Sequence, residues 1–232
     1  QRVPHRMTPV PLRPDLAAVA AAVPAGARVL DIGCGDGQLL AWLRDTKGVE
    51  GRGIELDASD VAAAVGRGLA VVQGDADTDL ADYPDAAFDV VILSNTLQAM
   101  QRPADVLAQL VRIGRSAIVS FPNFGHWRVR LSLTLGGRMP VTRSLPVSWH
   151  ETPNIHFCTI RDFEALLSHE DMATIRRALL DERGRDIAVE RILRALGGED
   201  AQAILLPDGL LLVLGKVLEA TLAFQHLPEL VH

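Results

Sequence analysis

The sequence predicts an α/β fold built on a doubly wound sheet of seven strands, mostly parallel, with an antiparallel last strand. Three observations carry this. Short β-branched apolar runs alternate with helical patterns through the first half of the chain, and parallel neighbours need such crossover connections. The run Val29-Leu30-Asp31-Ile32 breaks into glycines at Gly33, Gly35 and Gly37 before an apolar helical pattern resumes, which reads as strand, glycine loop and helix. Glu55 ends the next strand run, 22 residues after Gly33, and so places a carboxylate beyond the strand ends, where open α/β sheets bind ligands.

Taken in order, residues 1–12 read as a loose N-terminal arm. Pro14-Asp15 opens an alanine-rich helix that closes at Pro24-Ala25-Gly26; Pro14 suits the first helical position because its missing N–H would be unpaired there anyway. After the first strand, Leu39, Leu40 and Leu43 supply the apolar face of a helix ending near Gly48, and Val49–Glu55 is the second strand. Asp57–Val65 is a helix closed by Gly66, Leu69–Gln73 the third strand, and Phe88–Leu93 the fourth, a continuous apolar run of the kind buried on both faces. Pro103–Ile113 is a helix stopped by Gly114, and Ser116–Phe121 the fifth strand.

The segment from Pro122 to Ile160 breaks the alternation and is too long for an ordinary connection, so it is expected to carry function or an interface. Thr159 with Asp162 three residues on forms a capping box opening a helix through Leu167. Thr174–Asp181 and Ala201–Leu206 are the sixth and seventh strands. Leu210–Leu214, after the turn signal Asp208-Gly209, is an eighth, edge-paired strand followed by a helical pattern, Val217–Phe224.

A chain of 232 residues at 48% hydrophobic and 22% charged buries one substantial core. The expected organisation is the arm 1–12, a main domain 13–206 carrying the 122–160 insertion as a partner surface, and an extension 207–232. A net charge of −6 without a basic block argues against nucleic acid or anionic lipid held by bulk electrostatics. Two distant cysteines, Cys34 and Cys158, argue against a disulfide framework or a thiolate zinc site and point to reducing cytoplasm. The first eleven residues lack a signal-peptide h-region. Pro207-Asp208-Gly209 divides the apolar C-terminal stretch into parts too short to span a bilayer.

The dinucleotide fingerprint requires a third glycine where Gln38 stands, so that pattern fails. Gly-x-Gly-x-Gly with Asp31 at the strand end instead resembles the first motif of the S-adenosylmethionine-dependent methyltransferases of Rossmann-like fold. Glu55 then accepts hydrogen bonds from both hydroxyls of a ribose. The resemblance further implies that Asp75 accepts from the adenine amine while the Ala76 N–H donates to a ring nitrogen; the competing reading of Asp75 is a turn-forming residue beside Asp77 and Asp79. Ser94-Asn95-Thr96-Leu97-Gln98 falls where such enzymes place residues near the transferred methyl, but no Asn-Pro-Pro-Tyr or Asp-Pro-Pro-Tyr run specifies an amine acceptor and Cys34 belongs to the glycine loop. His126, His150 and His156 lie in the insertion with Trp127, Trp149, Arg128, Arg130, Arg138 and Arg143; they supply either a general base or the polar members of an aromatic cluster or interface.

Longer strings sharpen the resemblance. Asp45–Glu55, Val72–Asp77, the run Phe121-Pro122-Asn123-Phe124-Gly125-His126-Trp127-Arg128 and the run Thr152–Thr159 resemble the MetW family of methionine biosynthesis proteins, over about residues 12 to 206 and more loosely past Phe163. The resemblance implies a methyltransferase-like protein that associates with and activates homoserine O-acyltransferase of the MetX type, supporting the first committed step of methionine synthesis. The implied cofactor is S-adenosylmethionine or S-adenosylhomocysteine, held by Asp31, Gly33, Cys34, Gly35, Gly37, Glu55, Leu56, Asp75, Ala76 and Ser94. The alternative is an active methyltransferase acting on a small molecule or a partner protein. Oligomeric state stays open, with a homodimer among the options.

Overall fold

The computed structural model describes residues 11–139, 141 and 147–169, together with the backbone of 172–180 and 209–216. Strand β1 (Arg28–Ile32) runs at the centre of the sheet, with β2 (Glu50–Glu55) on one side and β4 (Phe88–Ser94) on the other, both parallel to it. Strands β3 (Ala70–Gln73) and β5 (Gly114–Pro122) extend the parallel set outward. With β6 (Met172–Leu180) and β7 (Gly209–Lys216) the order is β3-β2-β1-β4-β5-β7-β6.

Alternate residues of the central strands feed two cores. Val29, Val90, Ile92 and Ile118 pack toward helices α1 (Pro14–Ala22), α2 (Gln38–Lys47) and α3 (Ala58–Gly66). Leu30, Ile32, Val91, Leu93, Val119 and Phe121 pack toward α4 (Pro103–Ile113) and α6 (Ile160–His169). Period-two alternation in a strand sends successive side chains to opposite faces, so helices cover both sides and the sheet is doubly wound.

Helix ends follow their sequence signals. Pro103 stands at the start of α4 and Gly48 closes α2 at φ +64°. Asp57 caps α3 by accepting from the Ser59 and Asp60 N–H groups. The Thr159–Asp162 capping box forms: the Thr159 N–H donates to Asp162 Oδ2 at 2.9 Å and the Asp162 N–H to Thr159 Oγ1 at 3.3 Å. Between α1 and α2 the Lys47 ammonium donates to the carbonyls of Ala20 and Val23 at 2.7 and 2.6 Å, satisfying the end of α1.

The outer strands correct the sequence expectation. Residues 210–214, expected as an eighth strand at the edge, belong to β7, which is inserted between β5 and β6 and runs antiparallel to both. A continuous apolar run suits a flanked strand better than an exposed edge. The all-parallel part of the sheet is therefore β1–β5. The expected strand Ala201–Leu206 and helix Val217–Phe224 lie outside the described residues, as do residues 1–10 of the expected arm.

A further finding concerns the insertion, which contains a helix, α5 (Trp127–Gly136), where the sequence pattern assigns no element. The buried His126 starts it, its Nδ1 accepting from the Arg128 N–H at 3.4 Å. The two ends of the insertion dock on the body: the Phe124 N–H donates to the Cys158 carbonyl at 3.1 Å, and the Ile155 and His156 N–H groups donate to the Gln98 carbonyl at 2.8 and 3.0 Å. No described helix is long and apolar enough to cross a membrane.

Candidate cofactor-binding site

The three glycines do three different jobs. All have positive φ, at +68° for Gly33, +54° for Gly35 and +77° for Gly37, so each holds a conformation that L side chains rarely adopt. A Cβ on Gly33 would strike the Thr96 side chain at 2.7 Å, and one on Gly37 would strike Leu69. Those two glycines allow the loop to pack against the protein itself. A Cβ on Gly35 would meet nothing within 4 Å, so that residue faces open space with its backbone bare, as a loop that admits a ligand requires.

The loop is pinned to the second strand. The Gly33 and Cys34 N–H groups donate to the Ile54 carbonyl at 2.9 and 3.4 Å, and the Gly35 N–H donates to Glu55 Oε2 at 2.8 Å. The other carboxylate oxygen, Oε1, accepts from the Leu56 and Asp57 N–H groups at 2.8 and 3.0 Å. Three backbone donors thus orient Glu55, leaving about one of the roughly four acceptor sites of a carboxylate for an incoming hydroxyl. Leu56 beside it is exposed and Gly53 is bare because a Cβ there would strike the Cys34 sulfur at 2.6 Å.

Asp31 ends β1 beneath this loop and is 3% exposed. Burial, with the charge of Glu55 adding to it, pushes its carboxyl up to about 7. Burial likewise pushes the Cys34 thiol up to about 12, with Asp31 and Glu55 adding, so the thiol stays protonated and is no nucleophile. At this end of the loop Glu55 offers negative charge to a cationic group, and Asp31 adds its own only above about pH 7.

Past β3, Asp75 forms the turn: its Oδ1 accepts from the Asp77 N–H at 2.9 Å, and its own N–H donates to Asp79 Oδ2 at 2.8 Å. Ala76 follows, partly buried against the core. Asp77 in turn accepts from the Gln101 and Arg102 N–H groups at 2.9 and 3.0 Å, which fixes the start of α4. Past β4, Ser94 shares a hydrogen bond with Ser120 at 2.9 Å, and Asn95 takes φ +57° while its Nδ2 donates to Asp15 at 2.9 Å.

The histidines of the insertion serve separate places. His126 caps α5, the His150 ring stacks edge-on with Trp149, and the His156 backbone meets Gln98. Arg143 lies outside the described residues. Three residues prove structural to the site in ways the sequence did not assign: Gly53 under Cys34, and two members of the run expected near the transferred methyl, Thr96 over Gly33 and Gln98, which is 2% exposed and donates from Nε2 to the Pro122 carbonyl at 3.3 Å and to the Cys158 sulfur at 3.6 Å. Because Pro122 offers only an acceptor, the amide orientation is fixed, and Gln98 Oε1 is buried with no donor among the described residues.

Comparison with known proteins bears on the family and the fold. The family model described as methionine biosynthesis protein MetW matches residues 13–205. The bifunctional methionine biosynthesis protein MetXA/MetW of Rhodopirellula baltica is 38% identical over 167 residues, which is 68% of this chain and 27% of that protein, so the chain spans about a quarter of that relative's length. Among solved structures, a SAM-dependent methyltransferase from Archaeoglobus fulgidus superposes with a TM-score of 0.60 at 17% identity, covering 86% of this chain and 90% of that one. Magnesium protoporphyrin IX methyltransferase of Synechocystis PCC 6803, solved with bound SAH, gives 0.56 at 16% identity over 86% and 80%. At such identities the solved structures share the fold alone, the Rossmann-like fold of SAM-dependent methyltransferases. The match over residues 13–205, with the relative at 38% identity, shows that this chain belongs to the MetW family of methionine biosynthesis proteins.

Proposed function

We propose that this protein binds S-adenosylmethionine or its demethylated product at the glycine loop, and that it associates with and activates a homoserine O-acyltransferase of the MetX type. The observation that carries the association is the Rhodopirellula relative, in which a MetXA part and a MetW part occur in one chain. Two activities joined covalently are held at high effective concentration, which suits partners that act in contact.

The residues present fit the cofactor. The bare, outward-facing backbone at Gly35 leaves room for it, and the anchored Glu55 carboxylate accepts from a ribose hydroxyl, a second hydroxyl taking the place of the Gly35 N–H. Glu55, joined by Asp31 above about pH 7, favours its cationic groups. Asp75 and Ala76 would face the adenine, with Leu56 alongside, and Ser94 would lie toward the far end. When bound, S-adenosylmethionine supplies an electrophilic methyl on a sulfonium. The polar side chains after β4 are committed to structure, Ser94 to Ser120 and Gln98 to Pro122, which supports a binding and regulatory role over methyl transfer.

Methionine is the precursor of S-adenosylmethionine, so a pathway activator with such a site is placed for feedback. The direct test is the turnover of the same organism's homoserine O-acyltransferase with and without this protein at equal concentration. A several-fold rise is expected. Unchanged turnover with a complex absent overturns the activator reading and leaves the alternative of a methyltransferase, to be pursued by acceptor screening.

A further inference from the structure

We infer that α5 is the docking ridge of this protein and that the partner face it fits is apolar at its centre and acidic around it. The inference rests on the acyltransferase reading for the identity of the partner, and adds where contact is made and by what chemistry.

Among the described residues, every large apolar side chain left exposed, apart from Leu56, Val65 and Val72, lies between Trp127 and Phe157. On α5 itself Trp127, Leu131 and Leu135 are 41, 48 and 78% exposed. Four residues advance a helix by about 400°, so these three form one stripe, with each step drifting by about 40°. Val129, about 160° from Trp127 on the other side, is the residue that α5 buries. The helix thus fully buries one side chain, with Ser132 and Leu133 partly covered, and turns its apolar stripe outward. Contiguous exposed apolar surface of this kind marks an interaction site.

Arginines flank that stripe. Arg130 falls about 60° to one side of Trp127 and Arg128 about 100° to the other, and the Arg128 guanidinium lies 5.4 Å from the Trp127 ring centroid. Arg138 follows just past the helix. No Asp or Glu occurs anywhere between Asp105 and Glu151, although the chain as a whole carries −6. Among the described residues no carboxylate pairs with Arg130 or Arg138. An acid-free, arginine-bordered apolar ridge on an otherwise acidic molecule is complementary to an acidic-rimmed apolar face, and Trp with Arg is the pairing that concentrates binding energy at interfaces. A lipid surface fits less well. The start of α5 is tied into the body by the buried His126 and Asn123, and the acidic remainder of the molecule would be repelled by anionic headgroups.

The test is the association rate of the full chain with the same organism's homoserine O-acyltransferase, measured from about 0.01 to about 1 M salt, over which the Debye length falls from about 30 to about 3 Å. The wild-type rate constant should fall at least about tenfold across that range. The double variant Arg130→Glu with Arg138→Glu should associate about tenfold more slowly at low salt and lose most of the salt dependence. Leu131→Ala with Leu135→Ala should leave the association rate within about threefold while raising the dissociation rate about tenfold or more. Circular dichroism of each exposed-site variant separates these effects from unfolding. Association that is insensitive to salt and to the arginine reversals overturns the inference while leaving the acyltransferase reading standing; no association by the wild type at any salt overturns both. Salt-released cosedimentation with phosphatidylglycerol vesicles, abolished by the same arginine reversals, would assign the ridge to membranes and also overturn it.

Discussion

At the scale of single residues, Asp31 is the group most at odds with its surroundings. The native protein holds its proton up to about pH 7, whereas the unfolded chain releases it near the ordinary aspartate value of 3.8. Between about pH 4 and 7 the unfolded state therefore binds fewer protons, and stability falls as pH rises, by at most about 1.4 kcal/mol per unit and about 4 kcal/mol in total. Asp31→Asn should match the wild type near pH 4 and exceed it by a few kcal/mol, on the order of 3, at pH 8 in urea denaturation; parallel curves would show that the carboxyl is not buried in this way. Above about pH 7 the same substitution also removes a negative charge offered to a cationic ligand, so there tighter folding should come with weaker S-adenosylmethionine binding. Gly35→Asp separates ligand from fold differently. Its side chain enters open space, so the strain is that of one left-handed residue, about 1–2 kcal/mol, yet it places a second carboxylate beside Glu55 in the mouth of the loop. Calorimetry should show binding lost in a folded protein, and unchanged affinity would remove the glycine loop from the site. Gly33→Ala should instead destabilise the fold, because Thr96 already fills the space. The glycine pattern and Glu55 were legible in the sequence because turn geometry and strand ends are local. Thr96, Gly53 and Gln98 were not, because each owes its role to a contact across the sheet.

At the scale of elements, β1–β5 and α1–α4 follow their sequence periodicities to within a residue or two at most boundaries, since each buries one continuous stripe or run. Helix α5 does not announce itself. Trp127-Arg128-Val129-Arg130-Leu131-Ser132-Leu133-Thr134-Leu135 alternates apolar and polar residues with the period of a strand, which spreads the apolar side chains around a helix. A helix with that pattern cannot hide its apolar surface in its own protein, and the structure leaves it outward. The placement of β7 was illegible for a related reason: insertion between two other strands depends on long-range pairing that no local pattern records. Gln98 shows what joins the insertion to the body. Its two side-chain contacts are long, at 3.3 and 3.6 Å, and its buried Oε1 has no donor among the described residues, a cost of about 1–3 kcal/mol that offsets them. Gln98→Met should accordingly change unfolding free energy by less than about 1 kcal/mol in the free protein. A loss above about 2 kcal/mol would mean that Oε1 is satisfied after all.

At the scale of the whole molecule, the cofactor loop and the insertion meet at one short segment. Thr96 abuts Gly33 of the loop, and two residues later the Gln98 carbonyl accepts the Ile155 and His156 N–H groups while its side chain reaches Pro122 and Cys158, the two ends of the insertion. A ligand that shifts the loop thereby acts on the base of the expected partner surface, and Gln98 Oε1, without a donor among the described residues, gives that joint a reason to prefer a second arrangement in which it finds one. The hypothesis that follows is that S-adenosylmethionine changes partner affinity, and thermodynamic linkage requires the partner to change S-adenosylmethionine affinity by the same factor. Titrating the acyltransferase with this protein, with and without saturating S-adenosylmethionine, should show a shift of at least about fivefold, and titrating S-adenosylmethionine into the free protein and the complex should show an equal one. Gln98→Met should shrink both shifts together while leaving each separate affinity within about threefold, which a change confined to one site would not do. Equal affinities in the first pair of titrations would retire the feedback idea and leave the ligand as a structural tenant of a fold whose regulatory work is done by the insertion alone.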